Sequence, residues 1–157
     1  MALAPLLNTK EFSVPTFVPP YTVTVSSTAG GLAHCSYIDG NGQPVPAGTV
    51  LTTTTPAGEE GSLPITFTET QVGGQNLRLV GSAVKTVGND STMNPYNYLP
   101  ATRTEVSDGW EDGVVVPWAA NQFTTRGVVL LFAQVTDAGD MINFFPSIDP
   151  QTQNDEE

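Results

Sequence analysis

The chain alternates apolar and polar residues in short runs. "YTVTVSS" sets Tyr21, Val23 and Val25 on one face and Thr22 and Thr24 on the other, the two-residue period of a half-buried strand. "LAHCSYI" (32–38) reads as a second strand, and "DGNG" (39–42) supplies turn residues that tolerate positive φ. "GTVLTTTT" (48–55) is β-branched and stops at Pro56. In "LPITFTET" (63–70), Ile65 and Phe67 alternate with Thr66 and Thr68. In "LRLVGSAVKTV" (77–87), Leu77 and Leu79 oppose Arg78 and Val80, and Gly81 marks a bulge. "GVVLLFAQVT" (127–136) fits a buried strand or a short helix, and its β-branched content favours the strand. "MINFFPSI" (141–148) reads as a last strand.

No window shows a 3.6-residue period, and no internal repeat is present. Short β-type runs punctuated by Gly, Pro, Asp and Asn predict an all-β fold, an antiparallel sandwich or barrel. Residues 21–148 form the single β domain in this reading. Residues 88–126 lack a clear pattern and read as a long loop, in which "GVVVPW" supplies one short strand. Residues 149–157, "DPQTQNDEE" from Asp149, read as an acidic flexible tail.

Residues 1–20 differ in kind. Pro5, Pro15, Pro19 and Pro20 forbid a long helix and favour an extended arm. The arm carries Phe12, Val14, Phe17 and Val18 and leads into Tyr21. Burying each such side chain contributes about 1.5–3 kcal/mol. Ordering each residue costs about 1–2 kcal/mol. A flexible arm therefore breaks even, and prolines tip the balance by shrinking the unfolded ensemble. The expectation is docking along a surface, its own sheet or a neighbour's by strand addition.

Composition narrows the function. Of 157 residues, 39% are hydrophobic, enough for a real core, and only 13% are charged. Five Lys+Arg face 16 Asp+Glu, a net charge of −11. Lys10, Arg78, Lys85, Arg103 and Arg126 are scattered, so neither direct nucleic-acid binding nor an anionic membrane surface is expected. No apolar run is long enough to span a membrane. The opening "MALAPLLNTK" has no basic n-region, which predicts synthesis and folding in a cytoplasm rather than export. The sequon at Asn89 is then unused.

Candidate chemistry is sparse. Cys35 is the sole cysteine, so an internal disulfide is impossible. His34 is the sole histidine, and on a strand its neighbour Cys35 faces the other way. No nucleophile-elbow G-x-S-x-G occurs. Glu105, Asp108, Glu111 and Asp112 form an acidic group that suits either a solvated loop or a Ca²⁺ loop, but EF-hand spacing is absent. Among 16 acids many hydrolase-like carboxylate pairs are possible, so none is diagnostic. No metal, cofactor or catalytic residue is expected. Tyr96, Tyr98, Trp110 and Trp118 gather in the unpatterned stretch. Large aromatics there suit local packing, a sugar-stacking platform or a subunit contact.

The Pro-punctuated arm and the Thr/Val strands "TVTVSST" and "TVLTTTT" resemble bacteriophage virion structural proteins of the capsid decoration or cement class. The resemblance implies a β-rich, homo-oligomeric subunit, often a trimer, that stabilises a capsid surface through extended termini. Capsid or other virion proteins are then its partners. The partner-binding residues expected are Phe12, Val14, Phe17, Val18, Tyr96, Tyr98, Trp110 and Trp118. The alternative is a receptor- or carbohydrate-binding β-sandwich, such as the tip of a viral fibre. Its signature is Trp110 or Trp118 exposed beside a groove.

Overall fold

The computed structural model describes residues 16–87, 97–148 and 150–157. These hold thirteen strands, one 3-10 turn at Ala29–Gly31 and no α-helix. The strands are β1 (Tyr21–Ser27), β2 (His34–Ile38), β3 (Pro44–Val45), β4 (Leu51–Thr55), β5 (Gly61–Thr68), β6 (Thr70–Val72) and β7 (Gln75–Val87). They continue with β8 (Asn97–Pro100), β9 (Thr102–Val106), β10 (Gly109–Trp118), β11 (Thr125–Val135), β12 (Met141–Pro146) and β13 (Gln151–Glu156).

Two sheets face each other. One has six strands in the order β3-β2-β1-β5-β10-β9. The other has seven, along β4-β13-β11-β7-β6, with β12 also on β11 and β8 also on β7. The chain crosses between sheets repeatedly, as a sandwich requires. The expected all-β sandwich is therefore present. Among the described strands pairing is antiparallel except for β1 with β5 and β13 with β4, and an isolated bridge between Ala33 and Ser147 is also parallel.

Alternation drives the packing. Tyr21, Val23, Leu63, Ile65, Phe67, Val114 and Val116 point inward from the six-stranded sheet. They meet Leu51, Leu77, Leu79, Val84, Val128, Leu130 and Phe132 from the other. Phe67 and Phe132 meet edge to face, centroids 5.0 Å apart. The apolar run at 127–136 is the central strand β11, flanked by β7 on one side and by β12 and β13 on the other. The bulge expected at Gly81 is real: pairing jumps from Leu131↔Gly81 to Phe132↔Leu79, leaving Val80 unmatched. A Cβ on Gly81 would lie 2.7 Å from the Leu99 carbonyl oxygen, so β8 approaches there only because the residue is glycine.

Three boundaries differ from the sequence reading. Of the expected arm, residues 1–15 lie outside the described residues, and Phe17 and Val18 belong to the sandwich. Phe17 packs against the core, and its carbonyl accepts the Thr52 hydroxyl at 3.2 Å. The Val18 N–H donates to Asp39 Oδ2 at 3.1 Å, and the Val18 carbonyl accepts the Gly40 N–H at 2.6 Å. Asp39 also takes the N–H groups of Asn41 and Gln43, so one carboxylate locks the β2–β3 turn to the start of the fold. Burial opposes its ionisation, but these three N–H donors hold its carboxyl below the usual range. Second, the long loop contains β8, β9 and β10, a folded part of both sheets. Third, the acidic tail forms β13, wedged between β4 and β11. Thr152 and Asn154 are buried there, and Asn154 bonds the Thr55 hydroxyl and the Gln122 carbonyl, each at 2.8 Å.

Candidate functional site

The densest polar cluster lies where the two sheets meet near β6. β7 is paired with β6 through Leu77 and with β8 from Gly81 onward. Between them the edge of β7 has no strand partner. Asp112, on the inner face of β10, fills that gap: its Oδ2 accepts the Leu79 N–H at 3.0 Å. Next to it the Val80 carbonyl accepts the Ala101 N–H and the Tyr98 hydroxyl.

Asp112 is fully buried, and burial is the main reason its carboxyl is pushed up to about 7. A hydrogen bond to Glu69 acts in the same direction. Asp112 Oδ1 is buried and receives no N–H or O–H donor, which also favours the neutral acid. Burial also opposes ionisation of Glu69. The Arg103 hydrogen bonds, the bond to Asp112 and the charges of Arg103 and Arg78 outweigh it and hold Glu69 below the ordinary range. Arg103 grips Glu69 with two bonds, Nε at 2.8 Å and Nη2 at 2.9 Å. Arg78 Nε lies 3.6 Å from the same carboxylate without a hydrogen bond. The Arg103 guanidinium also stacks over Trp110, 3.9 Å from the ring centroid.

This cluster walls an open cavity of about 320 Å³. Trp110, Arg103, Arg78, Glu69, Asn76 and Gln71 line it. Its size is at the low end for ligand pockets, which run about 300–1,000 Å³. Neither Glu69, which joins β5 to β6, nor Arg78 stood out in the sequence. No motif marks them, because they converge only after two sheets stack.

The other expected site residues scatter. Trp118 is a core residue, its indole N–H bonded to the Thr124 carbonyl at 3.0 Å. Tyr98 stands exposed on β8. Phe17 and Val18 make their contacts within their own sandwich. Phe12, Val14 and Tyr96 lie outside the described residues. The acidic group does not converge. Glu111 and Asp112 are adjacent on β10 and point to opposite faces, and Asp112 alone turns inward. Among the described residues no group of three or more His, Cys, Asp and Glu is placed to hold a metal ion. His34 Nε2 lies 2.9 Å from the Ala29 carbonyl, tying β2 to the preceding turn.

A second surface is apolar. β12 pairs with β11 along one side only. On and beside it Met141, Ile142, Phe144 and Ile148 are exposed, the last two by 52% and 67%. No helix among the described residues is long and apolar enough to cross a membrane. No protein-family model, curated protein or solved structure matches the chain.

Proposed function

We propose that this chain is a virion structural protein of the decoration or cement kind, acting through surface contacts with capsid proteins and with copies of itself. The observation that carries the reading is the free edge of β12. Soluble monomers guard such edges with charge, proline or a covering element. This edge has a bulge at Asn143 and ends at Pro146, yet between and around them it presents Met141, Ile142 and Phe144 to solvent, the composition of a contact surface. At −11 the chain repels its own copies, so apolar area is the attraction available to it. The apolar N-terminal sequence precedes, along the chain, a residue held fixed by the Val18–Asp39 hydrogen bond. Two measurements test this. Mass spectrometry of particles purified from the encoding source is expected to find the chain as a stoichiometric component. Deleting residues 1–15 is expected to leave the melting temperature unchanged and to weaken association in sedimentation. Absence from the particles overturns the reading.

A second reading, a carbohydrate- or receptor-binding module, is favoured by one specific observation. Trp110 lines an open cavity together with guanidinium, carboxylate and amide groups.

A further inference from the structure

We propose that the cavity between β6, β7, β9 and β10 is a binding site for a sugar acid, a single pyranose-sized ring bearing one carboxylate. The inference rests on the second reading above and names its ligand class.

Four features converge on it. First, the cavity holds one ring and little more. Second, its wall includes an indole, with one face taken by Arg103, which adds apolar surface for the C–H groups of a pyranose. Third, two of the chain's five basic residues, Arg78 and Arg103, meet here in a protein of net charge −11. Glu69 cancels one of them. Burial disfavours the charged form of Asp112 behind it, so Glu69 is the main anion set against the two guanidiniums. Fourth, Arg78 lines the cavity with 27% of its side chain exposed, and its Nε makes no hydrogen bond with Glu69, 3.6 Å away. A ligand carboxylate in the cavity meets the exposed part of that side chain. Guanidinium–carboxylate pairing is also the strongest recognition available from this set. The amides of Gln71 and Asn76 then serve ring hydroxyls, offering both donors and acceptors. Long-range repulsion by the remaining acids is screened beyond about 8–10 Å at ordinary salt.

The two indole N–H resonances provide the test, because Trp118 is buried and bonded to Thr124 and serves as an internal control. Isotope-labelled protein is titrated with D-glucuronate, D-glucose and acetate. Glucuronate is expected to shift the Trp110 indole saturably, with Kd of about 1 mM for so small a ligand. The Trp118 indole stays in place. Glucose and acetate are each expected to bind at least about tenfold more weakly, a difference of about 1.4 kcal/mol. Arg78→Gln is expected to remove the preference for glucuronate over glucose while leaving the Trp118 resonance unmoved. Equal binding of glucose overturns the acidic class but leaves the carbohydrate reading standing. Acetate binding as tightly as glucuronate reduces the site to a bare carboxylate trap and overturns the sugar. No shift of Trp110 with any of the three overturns both the inference and the carbohydrate reading.

Discussion

Two strand edges in the seven-stranded sheet are treated in opposite ways. The edge of β7 between β6 and β8 is interrupted, and the protein closes it from the other sheet. Asp112 reaches across to take the Leu79 N–H, and Glu69, Arg103 and Arg78 balance the carboxyl. The edge of β12 is capped only at its end, where the Pro146 carbonyl accepts the Ala33 N–H; from Met141 to Phe145 no described strand pairs with it, and its exposed side chains are Met141, Ile142 and Phe144. An unpaired N–H in the interior costs the fold about 1–3 kcal/mol, so a buried gap must be filled from within. A gap at the surface is satisfied by water and can be left for a partner. The difference separates an edge that holds the fold together from an edge available for contact.

The sharpest way to break the comparison is to remove the closure. Asp112→Ala strands the Leu79 N–H, leaves a void and takes from Glu69 its hydrogen-bonding neighbour. We expect a loss of roughly 2–4 kcal/mol in chemical denaturation with an unchanged m-value. A loss under about 0.5 kcal/mol would mean that water seals the β7 edge as it seals β12.

A finer probe keeps the shape and changes the proton. Asp112 has its carboxyl raised from 3.8 to about 7 in the fold. Its stabilising contribution is therefore complete below the unfolded value and is lost as pH rises through about 7. Glu69 is lowered, so its contribution is present above its unfolded value and fades as pH falls through the folded one. Together they predict that the chain melts higher near pH 5 than at pH 8. Asp112→Asn mimics the protonated acid: its oxygen accepts from Leu79 and its amide donates to Glu69. This variant is expected to match the parent near pH 5 and to exceed it by about 1–2 kcal/mol at pH 8. Parallel pH profiles for the two proteins would show that Asp112 takes up no proton on folding.

The same contrast explains what could be read from the sequence. Strands β1, β5, β7 and β11 were legible because each buries alternate Val, Leu, Ile or Phe residues. β13 was not, because its inward residues are Thr152 and Asn154, held by hydrogen bonds rather than by apolar contact. β9 was not, because all five residues are exposed and no alternation can show. β10 was half legible: "GVVVPW" gave the strand, while inward Asp112 broke the pattern upstream. The aromatic cluster separated for the same reason. Trp110 and Trp118 lie at opposite ends of one strand, one beside the cavity and the other in the core. Arg103 and Asp112 are partners across the β9–β10 pair and Glu69 extends β5 beside Trp110, so the Glu69–Arg103–Asp112 contact follows from strand pairing that no local pattern shows, and only Arg78 arrives from the facing sheet.

The smallest expected effect on stability concerns the open edge. Phe144 is half exposed, so Phe144→Lys removes little burial and is expected to change folding stability by no more than about 0.5 kcal/mol. Its neighbour Phe145 is buried, and the same substitution there should instead unfold the sheet. A lysine is also the residue with which proteins guard edges against pairing. If the β12 edge is a contact surface, Phe144→Lys should weaken association about tenfold, the loss of roughly 1.4 kcal/mol of apolar contact. Thr104→Lys, on the exposed edge strand β9, is the control: the same added charge on a polar edge should leave both stability and association unchanged. Sedimentation velocity over a concentration series reads all three variants. If Phe144→Lys and Thr104→Lys alter association equally, charge alone is responsible, and the β12 edge is no more a contact surface than β9.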